Sequence, residues 1–125
     1  MTLEGLMQMR LEDIKDAYAD RITYEWPGSH MLMMEDSGPN LGHHDLSDLI
    51  LVFSAQGELV LVTERIRAKE IGWFQFLKCM RECEHYPKPS DDTLSMAVTK
   101  GKGFVDITLY RSWWHEWAME LTMPV

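Results

Sequence analysis

This 125-residue chain is short of basic residues, has only two cysteines and contains no long apolar run. Twelve Lys and Arg against twenty Asp and Glu give a net charge of −8. A chain with that balance repels a phosphate backbone, so nucleic acid is excluded as a partner. No apolar stretch approaches the ~20 residues that span a bilayer, so a membrane partner is excluded too. The opening MTLEGLMQMRLED has no basic region before an apolar stretch and predicts a chain without a signal peptide. The cysteines, Cys79 and Cys83, are four apart. On a helix they would share one face, and a disulfide there would close almost no loop. Reduced thiols and a cytoplasmic location are the expectation.

Recognisable catalytic chemistry is absent as well. None of the serines (29, 37, 47, 54, 90, 95 and 112) lies in a Gly-x-Ser-x-Gly turn. Lys100-Gly101-Lys102-Gly103 joins two strand-like runs and is a hairpin turn, not a phosphate cradle. His43-His44-Asp45 could pair an acid and a base with an orienting carboxylate, but adjacent side chains on extended backbone point opposite ways. Cys79, Cys83 and His85, with His43 or His44, offer zinc-type ligands. Cys-x3-Cys-x-His lacks the paired second half of a zinc motif, so buried, non-ligating cysteine is the plainer reading. No cofactor, metal or catalytic residue is expected, and the chain reads as a non-enzyme more than as an enzyme.

What is present is an ordinary globular balance, 46% hydrophobic and 26% charged, in one domain over residues 1–125. The charge is uneven. Residues 1–60 hold eleven acids and three bases (Arg10, Lys15, Arg21), a net of −8, whereas 61–125 hold nine of each. The first half is therefore an acidic face, either simply solvated or suited to a basic protein partner.

Leu3, Met7, Leu11, Ile14 and Tyr18 recur at helical spacing and predict one amphipathic helix over 2–20. RITYEW suits a strand stopped by Pro27-Gly28, and Met31–Met34 a strand or packed turn. Gly28-Ser29-His30-Met31 matches a common cloning remnant; its internal position and the lack of a preceding protease site favour coincidence. LILVF (49–53) and LVLV (59–62) flank a glycine-containing loop and predict a hairpin. Neither run alternates, so both faces should be buried, the second by another layer or a second subunit. Residues 68–85 predict a second helix with Ile71, Phe74, Leu77 and Met80 as its inward stripe and Trp73 and Phe76 on its shoulders. Leu94–Thr99 alternates with Leu94, Met96 and Val98 on one face, Phe104–Tyr110 with Val105, Ile107 and Leu109 on one face, and the two form a second, half-solvated hairpin. Ser112 could cap a short C-terminal helix, with a strand over 118–123 as the alternative. The expected fold is α+β: an antiparallel sheet of about five strands in two hairpins, with an N-terminal, a central and a short C-terminal helix packed on it. The element order resembles that of the class I type III secretion chaperones in topology alone, which implies a small, acidic, dimeric binding protein.

Ten Met and five Trp point to adaptable contact surface. Trp113 and Trp114 lie about 100° apart on a helix, so Trp113, Trp114 and Trp117 cannot all face inward. The expected function is a non-enzymatic protein-binding module of adaptor, chaperone-like or inhibitor type. It would act through this Trp/Met-rich surface and the acidic face, as a homodimer with a basic protein as further partner. The alternative is a small-molecule-binding domain or minor enzyme with a pocket between sheet and central helix. Trp73, Phe76, Met96 and Trp114 would line that pocket and His115 or Asp106 would head it. The candidate interface or pocket residues are thus Trp73, Phe76, Met96, Trp113, Trp114, His115 and Trp117.

Overall fold

The computed structural model describes residues 3–26, 28, 30–36, 47–84 and 89–114. Two short helices, α1 (Leu3–Leu6) and α2 (Leu11–Ala17), lead through a 3₁₀ turn into β1 (Ile22–Trp26) and β2 (Met31–Asp36). Then come β3 (Ser47–Phe53), β4 (Leu59–Arg67), α3 (Ala68–Ile71), α4 (Trp73–Glu84), β5 (Leu94–Gly101) and β6 (Phe104–Arg111). The strands form one antiparallel sheet in the order β1-β2-β3-β4-β6-β5. The α+β expectation holds with six strands rather than about five. Met31–Met34 is a true central strand, hydrogen-bonded to β1 on one side and β3 on the other.

The expected N-terminal helix is two helices. Arg10 takes extended backbone and bridges to Glu58, while the Leu11 N–H donates to the Gly57 carbonyl at 2.9 Å. Bonding to the β3–β4 loop thus outweighs one more helical turn, and Asp13 accepts the Arg10 N–H where α2 begins. The central helix is broken as well, by Gly72 at φ 86° and ψ 153°. The short C-terminal helix is not confirmed. Ser112–Trp114 is a 3₁₀ turn, and the segment that would carry the helix or the alternative strand lies outside the described residues.

One face of the sheet carries the core. Cross-strand register puts Leu32, Leu51, Val62 and Leu109 on one level, and Met34, Leu49, Glu64 and Ile107 on the next. Leu3 and Leu6 from α1, Met7 from the turn after it, Ile14 from α2 and Phe76 and Cys79 from α4 close over these rows, all 0–2% exposed. Glu64 is wholly buried in the same layer and is the one buried charged side chain among the described residues. The two-residue period explains its position: if Val62 and Ile66 face the helices, so must Glu64.

The opposite face is mixed. Its β4–β6 half is tied by Thr63 to Thr108 at 2.9 Å and by a two-point Arg65–Asp106 pair at 2.8 Å, with Arg65 4.4 Å over the Phe104 ring. Asp106 thereby holds the Arg65 guanidinium above its usual pKa range. The other half is apolar. Val52, Val60 and Leu61 are 0–4% exposed, with Met31 and Tyr110 packed against them. The apolar hairpin strands are therefore enclosed in a single chain except for half-buried Ile50. That enclosure removes the reason for invoking a second subunit to cover them.

Two outcomes are expected. A Cβ at Gly72 would meet no atom within 4 Å, so Gly72→Ala carries backbone strain alone, about 1–3 kcal/mol. Urea unfolding should show that loss, and an unchanged midpoint would contradict the Gly72 geometry. The second outcome concerns Glu4, whose carboxylate accepts from the Ser90 hydroxyl at 2.7 Å and the Asp91 N–H at 2.9 Å. The Ser90 bond lowers its pKa below the ordinary 4.5, and Thr93 bonds lower Asp91 likewise. A depressed carboxyl contributes stability above its unfolded value and loses it as pH falls through the folded one. Stability should thus decline below about pH 4.5, less steeply in Glu4→Gln; superimposable pH profiles would refute the tether.

Candidate functional site

Two surfaces stand out, one on α4 and one beside α2. On a helix, residues two apart are separated by about 200°, so Phe74 and Phe76 cannot both face the sheet. Phe76 and, one turn on, Cys79 enter the core at 2% and 1% exposure. Phe74 is consequently 89% exposed, with Leu77 at 38% beside it. This corrects the expected inward stripe in part: Phe74 and Leu77 face out and Phe76 faces in, while Met80 packs on the core as expected. The reason lies in Gly72, which ends α3 and resets the phase of α4. Trp73 lies against Phe76 with ring centres 5.9 Å apart, yet is 60% exposed at the start of α4. Lys78 and Arg81 continue the outward face.

The remaining sequence candidates are scattered. Met96 is half-buried on the helix-facing side of β5 and packs on the core. Trp113 is 62% exposed in the 3₁₀ turn. Trp114 closes that turn, and His115 and Trp117 lie outside the described residues. Asp106 is on the face away from α4, engaged with Arg65. Phe76 and Cys79 occupy the space between α4 and the sheet. Cys79 is buried, while His43, His44, His85 and the Cys83 side chain lie outside what is described. Among the described residues no group of three or more His, Cys, Asp or Glu is placed to hold a metal ion, and no helix is long and apolar enough to cross a membrane.

The second surface was not legible in the sequence. β1 ends at Trp26 and β2 starts at Met31, and the turn between them holds Gly28 at φ 73° and His30 at φ 55°. The left-handed region is costly for a non-glycine residue. His30 is held there by its carbonyl, which accepts the Phe53 N–H at 2.9 Å. Across from this turn stands α2. Lys15 Nζ meets Glu25 Oε1 at 2.8 Å, both side chains about half exposed, a clip worth roughly 0–1 kcal/mol. Between them runs a groove of about 470 Å³, with Leu11, Trp26, Met31 and Leu32 as apolar lining and Lys15, Glu25 and His30 on its walls. A second groove of about 180 Å³ shares Leu11 and His30 and continues past Glu12 to Gln56 and Gly57. Arg10 is fastened there by donating to the Gln56 carbonyl. Trp26 is braced by Tyr24, edge to face at 4.8 Å.

The only sequence sign of this site was Gly28 after an aromatic strand. The positive φ of His30 follows from tertiary hydrogen bonding, not from residue type. His30→Gly would relieve left-handed strain of about 1 kcal/mol and add a similar entropy to the unfolded chain. Its unfolding midpoint is expected to match the parent, and a large loss would mean that the His30 side chain holds the turn. No protein-family model, curated protein or solved structure matches this chain, so the topological likeness to secretion chaperones is carried no further.

Proposed function

We propose that this chain is a non-enzymatic, cytoplasmic protein-binding module whose anchor is the outward face of α4. The observation that carries the reading is Phe74, 89% exposed beside exposed Trp73 and Leu77. Isolated exposed apolar residues are ordinary, but adjoining large ones mark contact surface. Aromatic anchors of this kind dominate interface energies. The small-molecule alternative gains less support, because Phe76 and Cys79 take up the space under α4 where its pocket was expected.

The first occupant proposed for this face is a second copy of the chain, packed α4 against α4 about a twofold axis. Trp73, Phe74 and Leu77 together expose a few hundred Å², against the ~800 Å² per partner of a standard interface. The dimer should therefore be weak and concentration-dependent. Light scattering coupled to size exclusion, run at roughly tens of micromolar, is expected to show dimer in exchange with monomer. Phe74→Glu should give monomer with an unchanged unfolding midpoint, since Phe74 packs on little. A parent strictly monomeric at that concentration would overturn the homodimer, and a dimer indifferent to Phe74→Glu would move the contact off α4.

A further inference from the structure

The sheet has two outer strands, β1 and β5, and they are not alike. β1 has five residues, a shift in register between Ile22 and Tyr24, and Glu25 tied to Lys15 of α2. Short length, irregular pairing and charge each discourage the addition of a further strand. β5 is less protected. Its eight residues stay in unbroken register with β6, without proline, and Lys100 is its one charge. The direction of its backbone groups follows from alternation. The Ala68 N–H donates to the Gly103 carbonyl and the Ser112 N–H to the Thr93 carbonyl, both at 2.9 Å. In an antiparallel sheet the backbone groups of successive residues point to opposite sides. Odd-numbered residues of β6 therefore bond β4, and even-numbered ones bond Ser95, Ala97, Thr99 and Gly101 of β5. The N–H and C=O of Met96 and Val98 are left pointing away from the sheet, and among the described residues no strand pairs with them. We infer that two copies of the chain join β5 to β5, antiparallel about a twofold axis at Val98, making one sheet of their two six-stranded ones.

This pairing presupposes the homodimer proposed above and gives it a second contact. A twofold axis normal to the sheet supplies an antiparallel strand of the same sequence, and the register at Val98 is self-complementary. Val98 exchanges two main-chain hydrogen bonds with its own copy. Met96 stands opposite the partner's Lys100, so the one charge on the strand does not face itself. On the other side of the sheet exposed Ala97 meets the partner's Thr99, also exposed, and both side chains are small. α4 lies against β5, so the axis brings both α4 helices to one face of the joined sheet, one on each side of the junction. The exposed part of α4 alone falls short of the ~800 Å² per partner of a standard interface. The strand edge beneath it adds to the same contact.

The test is charge exchange at the axis, read on the full chain by light scattering coupled to size exclusion. Val98→Lys and Val98→Glu each put two like charges opposite one another and should weaken self-association by about tenfold or more. An equimolar mixture of the two should recover the dimer, which a fold damaged by either substitution would not do. Crosslinking reads the register separately. In a Cys83→Ser background, Val98→Cys places two thiols on backbone about 5.5 Å apart, within reach of a disulfide, and mild oxidation should trap the dimer. Thr99→Cys is two residues out of register with its own copy and should crosslink at least about tenfold more slowly. A parent strictly monomeric at roughly tens of micromolar, no recovery in the mixture, or crosslinking at Thr99 as fast as at Val98 would each overturn the pairing. A dimer lost in Phe74→Glu but indifferent to both Val98 variants would overturn it while leaving the α4 anchor in place. The reverse pattern would support β5 pairing and remove the α4 contact.

Discussion

The inward rows of the sheet constrain everything above them. Leu49, Leu51, Val62, Ile66, Ile107 and Leu109 share one face because pairing in β3, β4 and β6 leaves no freedom in which side chain points where. Burial of this face is the principal favourable contribution the chain can make to its own folding. The same register that buries Val62 and Ile66 carries Glu64 in with them. A carboxyl in such a layer is costly unless compensated, and the sheet accepts it because slipping the strand by one residue would expose every apolar neighbour.

What lies over those rows decides which surfaces are left outside. α4 contributes Phe76 and Cys79 to the core, and its 100° step then obliges Phe74 to face solvent. The N-terminal segment contributes Leu3, Leu6, Met7 and Ile14, but Arg10 leaves the helix to bond the β3–β4 loop. That break sets α2 against the β1–β2 turn and opens the groove between them. The two surfaces thus both follow from core packing, one apolar and aromatic on α4, the other a groove lined by apolar side chains and by charges of both signs.

Much of this architecture could be read from the residues. The alternation of Leu94, Met96 and Val98 and of Val105, Ile107 and Leu109 gave the second hairpin its correct inward face, because period two survives without tertiary information. The hairpin of LILVF and LVLV was equally legible, although its unbroken hydrophobicity suggested a second subunit where the chain largely encloses both faces itself. Helix phase was less legible. Phe74 and Leu77 are spaced as well for an inward stripe with Met80 as Phe76 and Cys79 are, and the structure puts Met80 with the latter pair beyond the break at Gly72. The groove was invisible, since it depends on Arg10 pairing with a loop 48 residues away and on His30 being held in a left-handed conformation by Phe53.

The orientation of α4 is the central claim, because both the shape of the core and the proposed anchor follow from it. Comparing the urea unfolding of Phe74→Ala and Phe76→Ala tests it most directly. Phe76→Ala should cost about 3–5 kcal/mol, as a buried ring removed from a packed core does. Phe74→Ala should fall within about 0.5 kcal/mol of the parent, as an exposed site does. Equal costs, or a larger loss at Phe74, would mean that α4 is turned the other way and that its exposed aromatic face does not exist.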